Sequence, residues 1–304
     1  MRAVDGRQRT VNGFLRMLLI CILSTVYCLP STALAQQTSD EPLEITAQQT
    51  LEWHHNDLQY IARGNVLVRQ GDVEIAADTI TADYRETDKS AFEIYRLTAD
   101  GNVTISSQGN TATGERAVYE VDKEMAVMTG NNLRLTSPDQ TVTAKDSFEY
   151  WVTEGRLTAK GAAHVTRLQD TLDADTVSAT FAENAAGARQ LKTLEADGNV
   201  RITTPTEMLT GHKGRYDAAA NTAEITGNVR ITRGPNVLEG ERAEVNLTTN
   251  VSTMQGGAGQ DSRVRGVFYP GSEEKMPQQS PQQTPSAPAP EAGQNRRNPM
   301  LLGQ

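Results

Sequence analysis

From Glu44 to about Phe268, apolar and polar residues alternate with a period of two, in short segments rich in Val, Ile, Thr and Tyr. Nowhere in that span do apolar residues recur at the three- and four-residue spacing of an amphipathic helix, so the pattern predicts an all-β chain. Its organising unit is clearest at Leu194-Glu195-Ala196-Asp197-Gly198-Asn199-Val200-Arg201-Ile202. Gly-Asn supplies two residues that tolerate positive φ, as a tight turn requires, and Val-Arg-Ile then alternates so that one face is buried. Gly64-Asn65-Val66, Gly101-Asn102-Val103 and Gly227-Asn228-Val229 repeat the unit, while Gly130-Asn131-Asn132-Leu133 and Gly161-Ala162-Ala163-His164 are worn copies. Gln70-Gly71-Asp72 and Asp88-Lys89 mark further reversals.

The glycines at 64, 101 and 130 recur at 161, 198 and 227, each 97 residues on, and the same offset carries Asp78 to Asp175, Leu97 to Leu194, Gly114 to Gly211 and Tyr119 to Tyr216. The body is therefore two tandem copies of one unit, the first at 44–160 and the second, continuous with it, at 161–270. A final worn turn, Gly256-Gly257-Ala258-Gly259, precedes the last strand at Arg263 to Val267. Short strands of this kind cannot bury an apolar face alone, so neighbouring turns must stack on a shared interior. With strands about 4.8 Å apart, about seven turns that each add two strands to each of two facing sheets give an elongated stack on the order of 60–70 Å long.

Alternation assigns an inward row: Val66 and Val68, Val73 and Ile75, Val103 and Ile105, Leu133 and Leu135, Val200 and Ile202, Val229 and Ile231, Val245 and Leu247. These are mid-sized aliphatic residues in a chain only 5% aromatic, so large rings that would fill a wide gap are scarce. Periodicity alone favours reading the row as a closed sandwich core rather than as the wall of a dry groove. The two ends of such a stack expose unpaired backbone groups, which a partner strand can use. Leu43 and Ile45 mark one docking edge, and Val264, Val267 and Tyr269 the other.

The chain ends carry different information. Arg2, Arg7, Arg9 and Arg16 precede a short apolar run, Met17 to Leu29, and Ala33-Leu34-Ala35 follows, which reads as a signal peptide over 1–35 cleaved after Ala35, with a lead-in at 36–43. Both cysteines, Cys21 and Cys28, fall inside that run. The mature chain then has neither a disulfide framework nor a thiol nucleophile. Residues 271–304 are dominated by Pro, Gln, Ser and Ala, a composition that predicts a disordered tail.

Charge and chemistry narrow the function by exclusion. The chain has 29 Lys+Arg and 38 Asp+Glu, and removing four Arg and Asp5 with the signal leaves 25 against 37, a net of −12. A broad phosphate-binding surface, and so nucleic acid as a partner, is not expected. The four histidines, His54, His55, His164 and His212, form no metal signature, and adjacent His54 and His55 point to opposite faces of a strand. Asp78, Asp83, Asp175 and Asp197 are the carboxylates a glycosidase would draw on. A catalytic pair is needed once, whereas Asp78 and Asp175 recur at one register, which suits turn chemistry. The expectation is a protein that is not an enzyme and needs no cofactor or metal.

The strings Tyr60 to Gly71 followed by Ile75-Ala76-Ala77-Asp78, together with Tyr216-Asp217, Ile225 to Ile231 and Gly240-Glu241-Arg242-Ala243, resemble the LptA/OstA-like family over about Glu44 to Pro270. The resemblance implies an antiparallel β-jelly roll, open along one side, whose apolar interior shields the lipid A acyl chains of lipopolysaccharide. It implies a periplasmic bridge protein whose partners are the jelly rolls of the inner- and outer-membrane export components, and which associates end to end with itself. The first docking edge would face the inner-membrane component and the second the outer. This chain departs from a short family member in carrying the unit twice, which implies a longer groove per molecule. The alternative is an OstA-like envelope scaffold with a closed core and no transported ligand.

Overall fold

The computed structural model describes residues 44–87, 90–183, 189–249, 251–257 and 263–270. The expected signal peptide, lead-in, Leu43, Asp88-Lys89 and the tail lie outside the described residues. All the strands belong to one compact unit ending at Phe268; of the second, from Tyr269, only residues 269 and 270 are described.

The period-two segments are strands, and the described chain is all-β: an antiparallel jelly-roll architecture built on tandem units. They follow as β1 (Glu44–Thr46), β2 (Thr50–His54), β3 (Gln59–Gln70), β4 (Val73–Thr87), β5 (Ser90–Ser107), β6 (Asn110–Glu120), β7 (Met125–Thr129), β8 (Leu133–Thr136), β9 (Gln140–Ala144) and β10 (Ser147–Trp151). The second half holds β11 (Arg156–Arg167), β12 (Asp170–Glu183), β13 (Arg189–Thr203), β14 (Met208–Asp217), β15 (Thr222–Arg233), β16 (Asn236–Asn246), β17 (Val251–Gln255) and β18 (Arg265–Val267). Four pairs, β1/β2, β7/β8, β9/β10 and β17/β18, each lie as two halves along one long neighbour, so the 18 strands form a meander of 14 bent ones. At about 4.8 Å per strand the run is on the order of 60 Å.

The Gly-Asn dipeptides are not hairpin turns. Gly64-Asn65, Gly101-Asn102, Gly198-Asn199 and Gly227-Asn228 sit in the middle of β3, β5, β13 and β15, with both residues at positive φ and a register shift beside each. Two successive residues in the left-handed region fit a two-residue hairpin, but they equally make a bulge that bends a strand without reversing it. The reversals fall further on, at Gly71-Asp72, Gln108-Gly109, Thr204 to Glu207 and Gly234-Pro235. Each long strand is thereby split at a corner into two arms. The arms on one side of the corner, such as Val66–Gln70, form wall A, and those on the other, such as Gln59–Arg63, form wall B.

Side chains reinforce the corner. Asn102 Nδ2 donates to Asp78 Oδ2 at 2.9 Å on the neighbouring strand, and one repeat later Asn199 Nδ2 donates to Asp175 Oδ2 at 2.9 Å. Asn65 reaches Gln48 at 2.8 Å and Asn131 reaches Glu115 at 2.9 Å in the same way. A Cβ on Gly198 would collide with the Asp175 carboxylate, so this position needs glycine for space as well as for φ. The sheet passes from the first repeat to the second without a break near Gly155, because β9 and β10 both pair with β11.

Candidate functional site

Between the two walls runs an apolar groove, partly open to solvent, at the end of the chain nearer the N-terminus. Among the described residues no charged one lines it, although 22% of the chain is charged. Wall A contributes Val68, Ile75, Ile105 and Leu135. Wall B contributes Ile80, Leu97, Ala99, Tyr119, Met128 and Phe148. Burial pushes the Tyr119 phenol from 10.0 up to about 12, as the apolar surroundings disfavour its ionised form.

The inward row divides in two. Val66, Val103, Leu133, Val200 and Val229, the first inward residues after each corner, are 1% exposed and do not line the groove. The walls are closest at their common corner, so these side chains are wedged between them as core. Two residues further along, the walls have diverged, and Val68, Ile105 and Leu135 meet the groove. Val73, also 1% exposed, is sealed at the far rim of wall A. Leu247 does not belong to the row: β16 ends at Asn246, whose side chain accepts from Thr248 N and Thr249 N, and Leu247 lies in that turn at 49% exposure. Val245 remains on wall B, half-buried and paired across to Ala223.

The two copies of the unit differ in closure. Val68, Ile75, Ile94, Ile105 and Tyr119 are buried, while their counterparts 97 residues on, Val165, Leu172, Leu191, Ile202 and Tyr216, are only half-buried. Ile231, on wall A near the C-terminal end, is half-buried too. The inner rim of wall A is polar, with Gln70, Ser107, Asn110 and Ser137 all buried on the inward side. Sequence reasoning found the aliphatic row after each Gly-Asn. It missed wall B apart from Val245, although Ile80-Ala82-Tyr84 and Leu97-Ala99 also alternate, because it took each Gly-Asn as the place where the strand began.

The candidate chemical residues serve the framework. Asp78 and Asp175 hold the corner, Gln59 Nε2 donates to Asp83 at 2.7 Å, and Asp197 pairs with Lys213 at 2.8 Å and raises its pKa. His54 lies 2.8 Å from Glu52, two residues earlier on the same face. Hydrogen bonds from His54 and Thr50, with Arg63 nearby, hold Glu52 down at about 2. Among the described residues no group of three or more His, Cys, Asp or Glu is placed to hold a metal ion.

At the ends, among the described residues, β1 and β2 pair only with β3, and β17 and β18 only with β16. Apolar residues are exposed there: Ile45 at 38%, Leu51 at 63% and Trp53 at 60% on the first edge, Val251 at 57% and Val264 at 44% on the last. Phe268 beyond β18 is 67% exposed and Val267 half-buried; Tyr269, in the second unit, is 56% exposed. The Trp53 indole stacks on Tyr60 at 5.7 Å and donates to the Tyr84 hydroxyl at 2.9 Å, which fixes an exposed ring in place.

The family described as "LptA/(LptD N-terminal domain) LPS transport protein" matches the chain twice, over residues 44–146 and 144–251. Among solved structures, LptH of Pseudomonas aeruginosa, described as the LptA-homologous periplasmic component of the lipopolysaccharide transport device, is similar at 12% identity. The match covers 76% of this chain and 97% of that one, with a TM-score of 0.19. No curated protein matches the chain.

Proposed function

Since this chain belongs to the LptA/LptD N-terminal family of lipopolysaccharide transport proteins, we propose that its groove shields the lipid A acyl chains of lipopolysaccharide as they cross the periplasm. The observation that carries this reading is that the groove's lining, among the described residues, is uncharged in a chain of which 22% is charged. Acyl burial is worth roughly 0.8 kcal/mol per CH₂. A line of similar aliphatic sites lets a chain slide in small energy steps, with no covalent chemistry or cofactor. The family is one of transport proteins rather than enzymes. The polar inner rim at Gln70, Ser107, Asn110 and Ser137 suits the boundary between acyl chains and sugar. The edges at Ile45 and at Val264 to Phe268 receive, by strand pairing, the inner- and outer-membrane jelly rolls of the export path or a second copy of this chain.

A photo-crosslinker at Ile105 and at its neighbour Thr104, and likewise at Ile202, tests the reading in cells. Lipopolysaccharide adducts at Ile105 and Ile202 but not at Thr104, on the outer face, are expected. Absence of adducts at all three positions would point instead to an envelope scaffold with a closed core.

A further inference from the structure

The recurring Gly-Asn-Val-Arg-Ile stretch has an outward half that the groove does not use. Val200 and Ile202 face in, so Arg201 faces out, on the exterior of wall A, and the same holds for Arg134, His164 and Arg230 at the matching step. Register links these positions into one row across the strands. Arg134 faces Thr143, which faces His164; His164 faces Asp173, which faces Arg201; Arg201 faces Thr210, which faces Arg230; and Arg230 faces Glu239, which faces Arg265. A cationic or basic side chain therefore stands on every second strand, at intervals of about 10 Å.

The row is under-neutralised. Arg230 and Arg265 share the single carboxylate of Glu239, at 2.7 and 3.2 Å. The Asp173 carboxylate is engaged by His164 at 2.6 Å. Arg134 and Arg201 are exposed and make no ion pair with any described residue. Wall B differs: Arg96, Arg116, Lys160, Lys213, Arg215 and Arg242 each pair with a carboxylate on its outer face. Beside the cationic row, Thr111, Thr136, Thr141, Thr166, Thr171 and Thr203 face one another on consecutive strands, an unbroken hydroxyl row.

We infer that the exterior of wall A, along Arg134, His164, Arg201, Arg230 and Arg265, binds an extended anionic polysaccharide carrying one carboxylate per disaccharide repeat. Guanidinium groups take carboxylates in a two-pronged geometry, and hydroxyls both donate to and accept from sugar hydroxyls. The interval between cations is close to the length of a disaccharide. It is far wider than the charge spacing of duplex DNA, about 1.7 Å, so nucleic acid is mismatched. The net charge of −12 after signal removal repels polyanions at large, which restricts attraction to this row. The inference does not rest on the groove and stands whether or not lipid occupies it.

The test uses the mature full-length chain, hyaluronan as the probe with a carboxylate on alternate sugars, and dextran as its neutral control, by titration calorimetry at low salt. Hyaluronan is expected to bind and dextran not to. Added salt and the Arg134→Ser/Arg201→Ser double variant should each weaken binding by about tenfold, whereas Lys213→Ser on wall B should leave it unchanged. Both arginines are exposed, so circular dichroism and the urea midpoint should match the parent. Absence of hyaluronan binding, equal affinity for duplex DNA, or full binding by the double variant would each overturn the inference.

Discussion

Replacing Val103 by Ala and, separately, Leu97 by Ala separates the corner core from the groove wall. Val103 is 1% exposed and wedged beside the Gly101-Asn102 corner, so truncation deletes two fully buried methyl groups. That loses about 1.6 kcal/mol of transfer free energy. A cavity term is added because the two walls, continuous through a corner that the Asp78–Asn102 bond reinforces, cannot close on the gap, and the total comes to about 2–3 kcal/mol. Leu97 is half-buried on wall B and lines the groove. Its truncation removes three carbons, of which about half the surface is still available to a ligand, so a bound acyl chain loses about 1.2 kcal/mol, or about eightfold in affinity. Urea unfolding followed by circular dichroism reads the first quantity, and titration with fluorescently labelled lipopolysaccharide reads the second. Val103→Ala should lower stability and leave affinity within twofold, about the precision of the titration. Leu97→Ala should lower affinity about eightfold and, because half of the removed surface is buried against the protein, lower stability by only about 1 kcal/mol, well below Val103→Ala. A loss of affinity in Val103→Ala as large as that in Leu97→Ala would show that ligand reaches the corner, and would refute the division of the inward row.

Gly198→Ala forces a side chain into the left-handed region, at about 1–2 kcal/mol, and also displaces Asp175 from Asn199, whereas Gly234→Ala, with nothing within 4 Å of its Cβ position, carries only the backbone cost. Urea midpoints should rank the first well below the second; equal midpoints would contradict the corner role of Gly198. Burial holds the Tyr119 proton up to about 12, so its contribution to stability is fully present below 10 and is lost between 10 and about 12, where the unfolded chain ionises and the folded chain does not. Phenolate absorbance of the folded parent against Tyr119→Phe should show one tyrosine titrating at about 12, and its titration at the ordinary 10.0 would disprove its burial in the groove wall. Trp53, exposed at 60% yet held by Tyr60 and Tyr84, is placed as an anchor on the first edge. Trp53→Ala should weaken end-to-end association in sedimentation velocity by about thirtyfold, the effect of losing an interface hot spot, and unaltered sedimentation would count against docking there.

Much of this protein was legible as sequence because the side-chain period of a strand is a local property. Alternation at Val66-Val68 or Val200-Ile202 states which residues face in, whatever lies opposite. The offset of 97 residues states that the unit is used twice, and the same strings carry the family resemblance. The outward face was equally readable, and the Arg201 row was in the motif from the start. What the sequence lacked was register, the pairing of residues tens of positions apart that sets Arg134, His164 and Arg201 in one line.

Tertiary structure alone decided three matters. A Gly-Asn dipeptide with two positive φ values suits a hairpin or a bulge, and only the pairing of both flanking segments with one neighbour made it the corner of a bent strand. Whether an inward valine is core or groove depends on its distance from that corner, since the walls diverge along each arm; Val103 and Ile105 are alike in sequence and differ in role for that reason. The closure of the first unit against the half-open second is likewise a matter of wall separation, and one repeated sequence pattern holds no measure of the distance between two sheets.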